Sequence, residues 1–334
     1  MNTRTTEKAA LTGALSWKHI LVAVDLSAHS EATGRYAIEI AKPFGATIVL
    51  VHVHPRIETS EFITEGGYQD MEQQRRDAQT ALTRLAETLR ESYPACESTF
   101  LLGDPAERIV SLAHDLKADA IITASHHPSF LARLLNLDQA PKIMHRAPCP
   151  VLVYHGDRPA RLASPDLGPG VQAAGLEPDA MRRKILAPVD LAAEPGPTLD
   201  FAVKLAREWN ADLYLLHVYS APPYVASSHY IYAVQGIDWH RRQLEAKLLD
   251  WVDRLQKHHP RTFPLFEDGD HPAEGIQAVA AALPADLIVV STHDRNWLFR
   301  WFFYSEADEI ARMAAAPVLV MRMPQVPQAE ESRQ

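Results

Sequence analysis

Short runs of consecutive apolar residues alternate along this chain with longer stretches in which apolar residues recur every three or four positions. Ile20–Val24 is a run of the first kind. A run apolar at every position predicts a strand buried on both faces, as in a parallel sheet. Ala37, Ile40, Ala41 and Phe44 then fall at i, i+3, i+4 and i+7, which predicts a helix with one buried stripe. Thr47–Val53 predicts a second, β-branched strand. Ala78, Leu82, Leu85 and Leu89 mark a longer and more polar helix. Glu97–Leu102 is a third strand, Ile109–Leu116 a helix, and Ala120–Thr123 and Val151–Tyr154 the fourth and fifth strands.

The same order then recurs. HILVAVDLSAHS from His19 matches KILAPVDLAAEP from Lys184, with Asp25 and Asp190 offset by 165. His52-Val53 matches His217-Val218 at the same 165. Gly103-Asp104 matches Gly269-Asp270 at 166, and Asp119, His126 and Pro150 match Asp286, His293 and Pro317 at 167. So small a drift over the repeat is the signature of a duplicated unit. The second copy has its helix stripe at Ala202, Leu205, Ala206 and Trp209, and a strand at Leu213–Val218. Its long helix carries Leu244, Leu248, Trp251 and Leu255. Phe263–Phe266 is its third strand and Ile276–Leu283 a helix. Leu287–Val290 and Val318–Met321 are its last two strands. Alternating strands and helices predict a doubly wound parallel five-stranded sheet in each half, flanked by helices and joined by right-handed crossovers. Pro188, inside the first strand of the second copy, has no N–H to give a ladder and predicts a local irregularity.

Length agrees with this count, since 334 residues suit two domains. The predicted boundaries are a leader over 1–16, domains over 17–155 and 182–323, a linker over 156–181 and a tail over 324–334. Gly156–Ala180 holds four prolines and four glycines without periodicity, as a linker does. Net charge is −9, which argues against nucleic acid or an anionic membrane as partner. No apolar run is long enough to span a bilayer, and the leader lacks a signal-peptide core. Two cysteines, Cys96 and Cys149, make no disulfide framework and suit a reducing, intracellular setting. Cys149 reads as a buried structural thiol.

With the repeat in place, a family likeness can be read. VAVDLS at Val22–Ser27, LVHV at Leu50–Val53, GDP at Gly103–Pro105, ADAIITASHH at Ala118–His127 and HRAPCPVLV at His145–Val153 resemble the universal stress protein pattern. APVD at Ala187–Asp190, LLHV at Leu215–Val218, ADLIVVSTH at Ala285–His293 and APVLVM at Ala316–Met321 resemble it again. The resemblance implies a cytoplasmic stress-response protein. Its two domains would pair about a pseudo-twofold axis, with further homodimerisation open. It also implies a candidate ligand crevice in each half, at Asp25, Val53, Ser125 and His126 and at Asp190, Val218, Thr292 and His293.

Some members of that family bind ATP through a loop of the form Gly-x2-Gly-x9-Gly-Ser/Thr after the fourth strand. Glycine is needed there because the backbone must approach the phosphates closely. In the first half these positions hold Ala124, His127, Leu137 and Asp138, and in the second Ser291, Asp294, Tyr304 and Ser305. No glycine remains in either, and Asp138 and Asp294 would repel phosphate. ATP binding in the family manner is therefore not expected, and no cofactor is assigned.

Other chemistry is sparse. His52, His54, His126, His127 and Asp25 would gather near one crevice, a set that could suit zinc. Histidine also stands at two of these positions in relatives without a metal, and no metal is assigned. No nucleophile elbow, Walker loop, HExxH or CxxC motif is present, so catalysis is not expected. Trp297–Tyr304 packs six aromatics into eight residues. It reads first as core filler, then as a pocket for an apolar ligand or a subunit contact, and Phe130–Leu137 is its apolar counterpart. Tyr224–Tyr232 reads as a surface loop or a lid. The expected function is a non-enzymatic tandem protein that binds a small ligand or a protein partner in stress regulation. The alternatives are an ATP-binding or slowly hydrolysing member with a rearranged loop, and an apolar-ligand carrier built on Trp297, Trp301 and Phe302.

Overall fold

A computed structural model describes residues 13–56, 65–124, 146–154, 182–192, 196–220, 230–269, 271–292 and 316–322. The first half runs β1 (His19–Ala23), α1 (Ser30–Ala41), β2 (Thr47–His54), α2 (Glu65–Ser92), β3 (Cys96–Leu102), α3 (Pro105–Asp115), β4 (Ala120–Ala124) and β5 (Val151–Tyr154). The second runs β6 (Lys184–Pro188), α4 (Pro197–Glu208), β7 (Asp212–Tyr219), α5 (Tyr230–Gln256), β8 (Thr262–Asp268), α6 (Pro272–Ala282), β9 (Leu287–Thr292) and β10 (Val318–Arg322). The predicted stripe from Ala37 to Phe44 is not one helix. α1 ends at Ala41, and Lys42–Phe44 tightens into a 3-10 turn around Pro43. Gly45 closes that turn at φ 63°, where a Cβ would be strained. Tyr230–Tyr232, read from sequence as part of a loop or lid, belongs to the first turn of α5.

Within each half the strands are parallel, in the order β3-β2-β1-β4-β5 and β8-β7-β6-β9-β10. Each half thus forms the doubly wound five-stranded sheet read from the sequence. The two sheets join edge to edge into one of ten strands, because β5 and β10 pair antiparallel, Leu152 opposite Leu319. Both leucines are fully buried. Antiparallel pairing at the seam follows from joining two like parallel sheets by the same edge about a twofold axis.

α1, α2, α4 and α5 cover one face of the sheet, packing on a single apolar layer that runs through both halves. α3 and α6 cover the other. The halves also meet beside the seam. Trp17 is buried, packs at a tilt against Phe44 at 5.0 Å and stacks on Phe201 of the second half at 6.1 Å. Arg183 pairs with Glu39 at 3.2 Å.

Two repeated motifs explain themselves locally. The carboxylate of Asp119 accepts the N–H groups of Lys18 and His19 at 2.5 and 2.9 Å, and that of Asp286 accepts the N–H of Lys184 at 2.8 Å. Each fastens the start of the fourth strand to the start of the first. Asp104 caps α3, accepting the Glu107 N–H at 3.0 Å. Pro188 is the last residue of β6. Val189 N–H bonds toward β7, to Leu216, so by alternation the nitrogen of Pro188 faces β9. There the ladder stops after Ile185 and Leu186, whereas β1 pairs with β4 through Ala23.

Cys96 and Cys149 are both buried free thiols. Burial, reinforced by Asp119, pushes the Cys149 thiol up to about 12, so it is held protonated. Among the described residues no helix is long and apolar enough to cross a membrane.

Candidate functional site

In each half the strand order reverses direction beside the first strand, with β1 between β2 and β4 and β6 between β7 and β9. Ligands of open α/β sheets sit at the carboxyl ends of strands at such a point. Asp25 stands there, two residues beyond β1. Its Oδ1 accepts the Ser27 N–H at 3.0 Å and the Ser30 hydroxyl at 2.9 Å. The carboxylate is thereby tied to the first turn of α1, where the helix dipole favours it. Leu26, between them, adopts φ 63°, the left-handed turn that lets the chain enter the helix so abruptly. Asp190 repeats the arrangement, accepting the Ala192 N–H at 2.9 Å.

His52 lies beside Asp25 on the α1–α2 face and is buried. Its Nδ1 is 2.9 Å from the carbonyl of Val24. A carbonyl only accepts, so Nδ1 carries the proton and Nε2 is the ring's acceptor. His217 makes the same bond to Val189 at 3.0 Å. Val24 and Val189 also donate their N–H groups to Val51 and Leu216. Each histidine thus closes a pair of bonds that locks the chain just past the first strand onto the second. Burial lowers the pKa of both imidazoles. The carbonyls and the nearby Asp25 and Asp190 oppose this, while His54 and His240 add to it. Both rings are neutral at physiological pH.

Phe100 on β3 packs at a tilt against His52 at 5.6 Å and stacks on His54 at 6.0 Å. Phe266 on β8 does the same for His217 and Tyr219, at 5.5 and 6.1 Å. Arg241 of α5 lies over Phe266 at 5.5 Å and pairs with Asp268 and Glu245. Its counterpart on α2, Arg75, forks onto Glu72 and holds that carboxyl down at about 2. These four residues carry no motif. The offset of 166 that links Arg75 to Arg241 and Phe100 to Phe266 is the signal that could have found them.

Val53 and Val218 lie at the same strand ends but point to the opposite face. Val53 is buried in the layer under α3. Val218 fills the space above Gly275 of α6 so closely that a Cβ there would lie 2.8 Å from its Cγ1. Ala124 ends β4 beside Tyr154, which stacks on Tyr36 at 4.4 Å. Ser291 and Thr292 end β9, alongside Met321 and Arg322. Ser125, His126, His127, Leu137, Asp138, His293, Asp294, Tyr304 and Ser305 lie outside the described residues, as does the aromatic run from Trp297. Among the described residues no three histidine, cysteine or acidic side chains gather as a metal site.

The comparisons with known proteins agree with this architecture. The sequence profile of the universal stress protein family matches residues 16–155 and 181–322. Universal stress protein A homolog 1 of Coxiella burnetii is 33% identical over 144 residues, 41% of this chain and 96% of that one. A universal stress protein of Mycolicibacterium smegmatis is 25% identical over 321 residues, 91% of this chain and 96% of that one, so it spans both halves. The crystal structure of a universal stress protein from Archaeoglobus fulgidus superposes with a TM-score of 0.61 at 16% identity, covering 93% of this chain and 98% of that one.

Proposed function

The chain belongs to the universal stress protein family, and on that premise we propose that it is a non-catalytic cytoplasmic binding protein. Its tandem domains act as one regulatory unit that holds a small ligand or a protein partner without an ATP switch. The observation that carries this reading is the state of the polar groups in the two crevices. The Asp25 and Asp190 carboxylates accept hydrogen bonds from their own turns, and the protonated nitrogens of His52 and His217 are used on backbone carbonyls. Those bonds fix the turns, while the Nε2 lone pairs of the imidazoles and the Oδ2 atoms of the carboxylates are left as acceptors for a ligand among the described residues. What is left is a crevice fit for binding.

The phosphate end supports the same reading. Ala124, Leu137 and Tyr304 place side chains at positions where phosphate-binding relatives need bare backbone, and Asp138 and Asp294 add negative charge. Such a loop disfavours a triphosphate on both volume and charge.

The test is a thermal melt of the full chain with millimolar ATP and magnesium, paired with a native mass spectrum of the purified protein. A ligand at a hundred times its Kd adds about 2.7 kcal/mol to the folded state, which a melt of this chain resolves. The expected result is no shift with ATP and no co-purified adenine nucleotide. A rise of several degrees, or a bound nucleotide mass, overturns the reading in favour of a rearranged ATP site. A bound lipid mass favours the apolar carrier instead.

A further inference from the structure

On the α3 side of the sheet, opposite His52, a cavity of about 760 Å3 opens beyond the ends of β2 and β3. Arg56 and Arg108 line it, with Gly103, Asp104, Glu107 and Ser111. Gly103 sits at φ 133°, open to glycine alone, and its N–H donates to the carbonyl of His54 at 3.0 Å. This turn leaves room for Arg108 to fold back over it. Arg108 Nε donates to the Leu102 carbonyl at 2.9 Å, which fixes the guanidinium at the cavity wall.

Ion pairs engage many of the helix arginines, though not Arg84 or Arg90 among the described residues. Along the helices, Arg35, Arg75, Arg76, Arg241, Arg242 and Arg254 each pair with a carboxylate three or four residues away, and Arg241 with Asp268 as well. Among the described residues neither Arg56 nor Arg108 pairs with any carboxylate, although Glu107 is adjacent. The second half lacks both. Ala221 stands in place of Arg56 and Gly275 in place of Arg108. There the side chain of Val218 occupies the space over Gly275.

We propose that this cavity is a binding site for a small phosphorylated metabolite, present in the first half alone. Two guanidiniums without carboxylates of their own match the dianion of one phosphate monoester, which they grip in bidentate fashion. A bare phosphate ion would leave most of the volume empty, whereas a sugar-sized organic part fills it. Asp104 and Glu107 set the upper limit on charge. With them the four charged side chains of the wall sum to zero, so every negative charge beyond those of a monoester is resisted further and a di- or triphosphate is disfavoured.

Calorimetric titration of the full chain with ribose 5-phosphate at low ionic strength tests the site, with inorganic phosphate as a parallel arm. Ribose 5-phosphate is expected to bind more tightly than inorganic phosphate. In Arg56→Ala/Arg108→Ala it is expected to bind at least about tenfold more weakly, the loss of a charge-assisted contact. Asp25→Asn, in the crevice, is expected to leave binding unchanged, so failure here is separable from failure of the crevice reading. Should Arg108→Ala disturb the Gly103 turn, Arg56→Ala alone carries the test, because Arg56 makes no hydrogen bond among the described residues. Absence of binding, equal affinity in the arginine variants, inorganic phosphate binding as tightly, or loss of binding in Asp25→Asn overturns the proposal.

Discussion

His259 donates its Nε2–H to the carbonyl of Ala211 across 2.8 Å, just past the end of α5. The first half makes the same bond with a different side chain, Tyr93 donating its hydroxyl to Ala46 at 2.6 Å. A second pair repeats the theme one turn earlier in each long helix. Arg90 Nε bonds the Cys96 carbonyl at 2.6 Å, and Gln256 Nε2 bonds the Thr262 carbonyl at 2.9 Å. The duplication has preserved the bond, not the residue. Each long helix is stapled to the starts of two strands, so α2 and α5 cannot lift without exposing the apolar face beneath.

The exchange of tyrosine for histidine gives the second half an acid sensitivity that the first lacks at this joint. Burial lowers the pKa of His259. The Ala211 carbonyl and Asp212 oppose this, and Arg207 and Arg261 add to it. A histidine whose folded pKa lies below its unfolded value of about 6.5 favours the fold fully above that pH. The contribution is lost as pH falls from there through the folded value. Melting temperature followed by circular dichroism from neutral to mildly acid pH is expected to fall below about pH 6.5. His259→Tyr, copying the first half, is expected to keep the neutral-pH stability and to flatten part of that fall. His52, His54 and His217, whose pKa values are also lowered, supply the rest. An unchanged acid limb in His259→Tyr would falsify the assignment.

Gly275 and Val218 form a packed pair that behaves as a unit. Alanine is ordinarily the better helix former by up to about 1 kcal/mol. At Gly275 the added Cβ would lie 2.8 Å from one methyl of Val218 and 3.1 Å from the other. Val218 is β-branched on a strand and has no alternative rotamer free of cost. Gly275→Ala is therefore expected to destabilise by about 1–3 kcal/mol in urea. Val218→Ala should reverse the sign, so that Gly275→Ala/Val218→Ala is more stable than the sum of the single changes. Simple additivity in that cycle would refute the contact.

Most of the strands and helices were legible in the sequence because buried parallel strands are written as unbroken apolar runs. Ile20–Val24 and Leu287–Val290 have no other economical reading. The helix starts at Pro105 and Pro272 were missed by four residues, since the reading followed apolar periodicity and not the Asp-Pro and His-Pro dipeptides that open them. The seam was not legible as hydrogen bonding. Val151–Tyr154 and Val318–Met321 show that they are buried, but a four-residue apolar run does not name its partner. At the candidate site Asp25 and His52 were found by their repeat, and the face each side chain takes was not. Val53 and His52 are adjacent in sequence and on opposite faces by the pleat alone. A motif quoted as a block conceals that division.

The seam decides whether the halves unfold together. β5 and β10 share three residue pairs, with Leu152 and Leu319 at the centre. Trp17 on Phe201 and Arg183 with Glu39 add contacts beside it. The salt bridge is exposed and contributes at most about 1 kcal/mol. The apolar layer therefore carries most of the coupling, since burying one leucine is worth about 2 kcal/mol. Phe201→Ala removes the stacking surface without touching the hydrogen bonds of the seam, and Leu319→Asp buries a charge within it. The unaltered chain is expected to give one cooperative transition in scanning calorimetry. Phe201→Ala should lower that transition while keeping it single. Leu319→Asp should split it in two, because each half retains its own five-stranded sheet and covering helices. A single transition in Leu319→Asp at the original temperature would mean that the halves are held together by something other than the β5–β10 pairing.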